Sequence, residues 1–428
     1  MSETFDVIVV GARCAGAPLA IMLARAGLSV CLLDKDGFPS DTLSTHGIQP
    51  VGVQVLERIG VLDSLLGLAP PIRRLRMAFD DAEPTTTDLE TVVGAPALSV
   101  RRVALDQILV GAAAGSGAEV RTRTTVTGLL WEGRRVRGVT TAAGRLRARL
   151  VVGADGTRSS VARFVGARER HRTDNGRVFM WGYYDADPTG GEMWIGKAGD
   201  LTYLSMPTDG GLSLVAVCPS IDRRDEVRAD REAVYTAGLR ACPELQAGIE
   251  GAERDGPVRT MARLTGFFRP SAGPGWALVG DAGHFKDPTA GQGISDALRQ
   301  SESLAAAIVG AFDADRDTLD LAMRDWWRRR DEDAWEMYWF AHDMGAAGPT
   351  SPLRREGQRR IAADPEMTAA MVRVLNHELR PSELFTPTFG LATVARSLRQ
   401  GRGHRRAIAR EMVDTATDEL RRWRAARS

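Results

Sequence analysis

Apolar positions near the start of the chain fall into two short runs, Phe5 to Val10 and Ser29 to Leu33, separated by an Ala/Leu-rich segment that ends at Gly27. Short runs rich in Val, Ile and Leu read as buried strands, and the segment between them, opened by Gly11 and Gly16 and closed by a terminating glycine, reads as a helix. Strand, tight glycine turn, helix and parallel strand within about 30 residues make a βαβ unit with a right-handed crossover. The chain therefore opens as a doubly wound α/β domain. Two later runs also end in a glycine–acid turn leading into a helix, Leu150 to Gly156 and Trp276 to Asp281, and both are assigned to the same sheet.

A different texture occupies residues 176–270, where Val178 to Tyr184, Glu192 to Ile195, Leu201 to Met206 and Leu212 to Val217 are short strand candidates. Pro207 to Gly211 supplies hairpin turn chemistry between the last two. This is the signature of an antiparallel sheet inserted into the α/β domain, to which residues 71–98 add strands. Beyond residue 315 the pattern is helical, broken at Gly348-Pro349 and Pro352. It ends in a segment with Ile408, Met412, Ala416, Leu420 and Trp423 on one face, which predicts docking against another surface. The expected organisation is a discontinuous dinucleotide-binding (Rossmann-like) domain (1–70, 99–175, 271–315), a substrate-binding β-sheet domain (71–98, 176–270) and a helical C-terminal region (316–428). Trp327, Trp335, Tyr338 and His342 share one helical face, which reads as packing.

Composition narrows the function classes. With 428 residues, 43% hydrophobic and 26% charged, the chain is neither disordered nor fibrous and fills two or three domains. Lys+Arg 56 against Asp+Glu 55 leaves +1, which removes a global electrostatic case for nucleic acid or acidic lipid. Residues 396–427 hold ten Arg and four acids, a local +6 read as a solvated amphipathic helix. Cys14, Cys31, Cys218 and Cys242 have no CxxC spacing, so neither a zinc site nor a redox pair is signalled, and reduced thiols are expected. Glu3 and Asp6 stand where an export signal needs basic residues, and the longest apolar run, Leu304 to Val309, is far short of the ~18 residues of a spanning helix. A cytoplasmic protein with no metal, no nucleic-acid partner and no stable membrane association is expected, as monomer or homodimer.

The chemistry begins at Gly11-Ala-Arg13-Cys14-Ala15-Gly16. This keeps the first and third glycines of a dinucleotide fingerprint, the first for the tight turn and the third for close helix–sheet packing, with the helix N-terminus facing the pyrophosphate. Arg13 replaces the second glycine and is expected to pair with the pyrophosphate, the other reading being a solvent-facing side chain. Asp34, at the end of the next strand, is the acid for a ribose hydroxyl.

Two further motifs follow in order: Asp155-Gly156-Thr157-Arg158-Ser159, and Gly280-Asp281-Ala-Gly-His284 followed by Pro288 and Gly291-Gln292-Gly293. With the fingerprint and Arg102-Val-Ala-Leu105-Asp106, they resemble the motifs of the aromatic-hydroxylase-like FAD monooxygenases, the para-hydroxybenzoate hydroxylase family, over residues 4–310. The resemblance implies FAD contacts in the first turn (Gly11, Arg13, Cys14, Ala15, Gly16), at Asp34 and Lys35, and at Arg102, Val126 and Asp155. It also implies them at Gly280, Asp281, Pro288, Gly291, Gln292, Gly293 and Ile294. Asp281 would accept hydrogen bonds from the ribityl chain, and the N–H groups of Gly291 to Gly293 would stabilise negative charge at the flavin N1–C2=O edge. The chain departs from the family at Ala162 (usually Arg), Ser295 (usually Asn) and Gln300 (usually Asp). Ser44-Thr-His46 stands where an early flavin-contact Arg is usual, so His46 either takes part of that role or makes an ordinary loop hydrogen bond.

The implied activity is oxygenation of an aromatic or polyketide-like small molecule through a flavin C4a-hydroperoxide, in the manner of secondary-metabolite tailoring. FAD is then the resident cofactor, NAD(P)H a transient co-substrate and O₂ the oxidant. Candidate catalytic groups are His284 and Tyr203 as general bases, His46, and Lys286, which either steadies an anion or forms a surface ion pair with Asp287 or elsewhere. Trp181, Tyr183, Trp194, Tyr203 and Phe267 are the expected pocket walls. Three alternatives share the motifs. A prenyl-chain (geranylgeranyl) reductase would carry Y-x-W-x-F-P near Thr202 to Pro207, where only the proline is present. A flavin halogenase needs a lysine and a W-x-W-x-I-P segment, yet no lysine lies between 35 and 197 and the segment is absent. A flavin-binding protein without turnover is the non-enzymatic reading.

Overall fold

The computed structural model describes residues 3–400 and 405–426, which divide into two compact units. The first comprises residues 1–69, 100–174 and 265–334, and the second residues 70–99, 175–264 and 335–428. The helical tail is thus no unit of its own. It is shared out at 334/335, within the helix Arg316–Met344.

In the first unit an eight-stranded sheet runs Ala272–Gly273, Trp276–Leu278, Gly144–Gly153, Glu3–Val10, Val30–Leu33, Glu119–Arg121. Its core is parallel, with Val7 opposite both Leu150 and Val30, and Val151 opposite Trp276. The strands Glu3–Val10 and Gly144–Gly153 bury their C-terminal halves on both faces, which is why these runs read as continuously apolar. A hairpin not anticipated from the sequence, Val126–Glu132 with Arg135–Thr141, extends antiparallel from Gly144–Gly153. The helix Gly16–Arg25 packs against the helices Arg102–Gly115 and Gly293–Ala311.

The second unit is built on a seven-stranded sheet in the order Arg259–Met261, Phe179–Tyr184, Ser213–Pro219, Leu201–Pro207, Met193–Ala198, Arg74–Phe79, Thr85–Asp88. All pairs are antiparallel except Met193–Ala198 with Arg74–Phe79, which run parallel. Helices cover both faces. Phe179, Trp181 and Tyr183 share one core with Val372 and Leu375, while Met180, Tyr184, Val215 and Val217 share another with Val234, Tyr235 and Leu239. The segment after the long helix is clasped by Arg177, which is fully buried and donates to the carbonyls of Asp200 and Ala346. Asp200 in turn accepts from Gly348 N–H at 2.8 Å, and Lys197 Nζ donates to Gly348 O at 2.9 Å.

The terminal helix Arg405–Ala425 departs from expectation. Of its apolar face only Ile408 is buried, whereas Met412 (43%), Leu420 (47%) and Trp423 (52%) are exposed. It is held by a neighbouring polar face, because Glu411 accepts from Ser351 Oγ and from Leu353 N–H, and Arg422 pairs with Asp343. No described helix is long and apolar enough to cross a membrane.

Candidate functional site

The first turn is shaped by two glycines that tolerate no side chain. Gly11 has φ +103°, and a Cβ there would lie 2.4 Å from Ala154 O; one on Gly16 would lie 1.7 Å from Gly11 O. The helix that begins at Gly16 has no side-chain cap; in its first turn Ala17 N–H donates to Arg13 O at 3.0 Å and Pro18 has no N–H. Asp34 fixes the turn, with Oδ2 accepting from Ala12 N–H at 2.7 Å and Oδ1 from Asp36 N–H at 2.8 Å.

Arg13 corrects the sequence reading. Its guanidinium donates to Asp106 Oδ2 (2.7 Å), Asp36 Oδ2 (3.1 Å) and Ser40 Oγ (3.0 Å), and it lies 5.5 Å from the Phe38 ring centre. It is neither solvent-facing nor short of partners, because two carboxylates far apart in sequence converge on it. Asp106 is a fully buried hub that also accepts from Arg102 Nε (3.0 Å) and Cys14 Sγ (3.5 Å). Burial pushes the Cys14 thiol up to about 12, so it stays protonated and inert.

The second half of the site is a cavity of about 30 Å³ lined by Gly280, Asp281, His284, Lys286, Pro288, Gly293, Asp296 and Gln300, among others. Gly280 has φ +60°, and its N–H donates to Gln300 Oε1 at 3.1 Å, so the glutamine standing in for the family's aspartate holds the glycine–acid turn. Ser295, in place of Asn, accepts from Gln49 N–H at 2.9 Å. The helix Gly293–Ala311 follows Gly291 (φ +63°) and carries no side-chain cap. Burial lifts the Asp281 carboxyl to about 7, with Arg102 opposing the shift and Asp296 adding to it. Lys286 is not at the surface, nor is it paired with Asp287. It is buried in an ion pair with Asp296 (Nζ to Oδ2, 2.7 Å), and burial lowers its pKa against the pull of that carboxylate. Asp287 instead caps the turn Pro288–Ala290 by accepting from Thr289 N–H. His284 is buried against Phe268, with ring centres 4.5 Å apart.

Asp155 lies beside the first turn, its Cα 2.9 Å from where a Cβ on Gly11 would fall. Asp155 spends its carboxylate on Ser159 Oγ, Ser160 N–H (2.6 Å) and Ser160 Oγ (2.7 Å), clasping the start of the helix Ser160–Val165. Ala162, where the family has Arg, donates its N–H to Ser159 Oγ. Lys35 is exposed, while Val126, Gln292 and Ile294 are buried. His46 is buried with φ +60°, its N–H bonded to Ser44 Oγ at 3.1 Å.

The four expected wall residues of the second unit do not form one wall. Trp181 and Tyr183 lie in one core of the second unit, joined by a 3.1 Å bond from Trp181 Nε1 to Tyr183 Oη, whereas Trp194 and Tyr203 pack on the opposite core. Phe267 belongs to the first unit, where Arg269 lies 4.1 Å from its ring centre. Aromatic character grouped these residues, but strand alternation separates them. Burial raises the Tyr203 phenol to about 12, and its hydroxyl donates to Ala78 O at 3.4 Å. Sequence reasoning missed Asp36, Ser40, Asp106 and Asp296 as members of the site. The i, i+4 spacing of Arg102 and Asp106 was a usable signal for one of them. Among the described residues no group of three His, Cys, Asp or Glu side chains is placed to hold a metal ion.

Comparison with known proteins shows the family. Residues 4–325 match the family described as FAD binding domain. The chain is 30% identical to the menaquinone reductase of Mycolicibacterium smegmatis over 324 residues, covering 72% of this chain and 77% of the relative. It is 26% identical to the rifampicin monooxygenase of Rhodococcus hoagii over 330 residues, 71% of this chain and 64% of the relative. The structure of the myxobacterial chondrochloren halogenase superposes with a TM-score of 0.71 at 24% identity, covering 90% of this chain and 92% of that one, a likeness of fold.

Proposed function

The chain belongs to the FAD binding domain family and is an FAD-dependent oxidoreductase, and from that premise we propose that it is an NAD(P)H-driven monooxygenase of an aromatic or polyketide-like small molecule. The residues fit FAD on three counts. Gly11 and Gly16 form a cradle that any Cβ would fill, two helices begin uncapped at Gly16 and Gly293, and Asp281 offers a carboxylate in a water-poor wall. Bound there, FAD supplies two-electron transfer and activation of O₂.

The protein's own part follows from its side chains. The helix start at Gly16 suits a pyrophosphate and that at Gly293 an anionic ring oxygen, since each helix start carries partial positive charge. Arg13, Asp36, Ser40 and Asp106 hold the first turn rigid, and Gln300 holds the second. Asp281, titrating near 7, holds a proton on its carboxyl in mildly acidic solution and accepts hydroxyl hydrogen bonds as an anion above neutrality.

The observation that carries the monooxygenase reading is this small cavity, walled by Asp281, Gly293 and the Lys286–Asp296 ion pair, because oxygen transfer requires that water be kept from the reacting centre. A second reading, reduction of a quinone or prenyl-type double bond, is favoured by the likeness to menaquinone reductase. Turnover under labelled O₂ with NAD(P)H and a panel of phenols and quinones separates them. One labelled oxygen in the product supports the first reading. Substrate gaining two hydrogens without O₂ supports the second and removes the first.

A further inference from the structure

We propose that the terminal helix Arg405–Ala425 is a reversible attachment surface for anionic lipid membranes. At about 100° per residue its side chains sort into three adjoining sectors. Ile408, Glu411 and Arg422 face the body of the second unit: Ile408 is buried, Leu353 N–H donates to Glu411 at 3.0 Å, and Arg422 grips both oxygens of Asp343 at 2.8 and 2.7 Å and lies 4.7 Å from the Trp339 ring centre. Met412, Val413, Ala416, Leu420 and Trp423 fill the next sector and are exposed, Val413 to 65%. Arg406, Arg410, Arg421 and Arg424, all exposed, line the sector beyond.

The polar anchors prevent the obvious remedy for so much exposed apolar surface, which is to roll the helix over and bury the stripe. Doing so would break the Asp343 pair and the bonds to Glu411 together. The stripe is therefore presented outward by design of the contacts beneath it, with arginines along its free edge, the arrangement by which a helix lies in a membrane interface.

Charge selects the occupant. The helices Pro387–Gln400 and Arg405–Ala425 together hold eight Arg and four acids, +4 in a chain whose total is +1, so the rest of the sequence carries −3. A second copy docked on this face would bring two arginine-edged surfaces together. A nucleic acid would satisfy the arginines and leave Val413 and Leu420 in water. An anionic lipid surface meets both demands, and this replaces the expectation of a merely solvated helix.

The test uses the full chain with its cofactor in flotation assays on vesicles of phosphatidylcholine, with and without phosphatidylglycerol. Binding is expected on the phosphatidylglycerol vesicles, at least tenfold weaker on phosphatidylcholine alone, and weakened by added salt. Arg406→Gln and Arg424→Gln, both at exposed positions, should each weaken it about fivefold. Val413→Asp with Leu420→Asp should lose it more than tenfold with an unchanged circular dichroism spectrum. Failure to bind phosphatidylglycerol vesicles, equal binding to both vesicle types, a dimer in sedimentation that Leu420→Asp dissolves, or duplex DNA binding that the Asp variants leave intact would each overturn the proposal.

Discussion

Asp281 sets a measurable sign. Its folded pKa of about 7 lies above the ordinary carboxylate value, so the folded protein holds a proton that the unfolded chain releases. Its contribution is therefore most favourable below pH 4 and is lost as pH rises toward 7, by up to roughly 4 kcal/mol. Asp281→Asn should raise the melting temperature of the cofactor-free protein at pH 8, leave it little changed at pH 4, and weaken FAD binding roughly tenfold or more, read by fluorescence titration. Arg13→Ala leaves the buried Asp106 short of one of its two guanidiniums and should cost about 3 kcal/mol in urea unfolding. Lys286→Met should cost a similar ~3 kcal/mol by stranding Asp296, and adding Asp296→Leu should recover most of it; a double variant no better than the single one would show that the pair is not what Lys286 contributes. The motif glycines and Asp34 were legible because their spacing is local. The partners of Arg13 and Lys286 were not, because Asp106 and Asp296 reach them only once helices have packed.

Elements were easier to read than the surfaces they present. The strand–turn–helix at the N-terminus and the glycine–acid turns at Asp155 and Asp281 follow from residue type, and the four strand candidates between 176 and 219 are each within a few residues of their observed bounds. What local pattern does not encode is the cover. Trp181 and Tyr183 do share a face, as alternation requires, but Val372 and Leu375 from a helix nearly 200 positions later fill it. The terminal helix shows the same limit, since its apolar periodicity is real while its docking is decided by Glu411 and Arg422. Asp155 teaches the converse, a motif residue whose visible work is on its own element. Asp155→Ala should destabilise the helix Ser160–Val165 by about 1–2 kcal/mol, seen as faster amide exchange confined to that helix.

At the scale of the whole chain, cofactor and fold are linked through mass action. FAD at a hundredfold excess over its dissociation constant should stabilise the protein by about 2.7 kcal/mol, and heating should release it intact, since Cys14 of the first turn is buried and protonated. A flavin that stays with the denatured chain would contradict the site as described. The first unit also returns to its sheet three times, and this fixes an order of events during synthesis on the ribosome. The strand Glu3–Val10 emerges early, yet its neighbour Gly144–Gly153 comes some 140 residues later, and Trp276–Leu278, which completes the parallel core, later still. At roughly 5–20 residues per second the nascent βαβ unit waits on the order of 6–24 s for Gly144–Gly153 to cover its apolar edge. The strand that makes the cofactor cradle recognisable thus keeps one apolar edge unpaired until Gly144–Gly153 has been made.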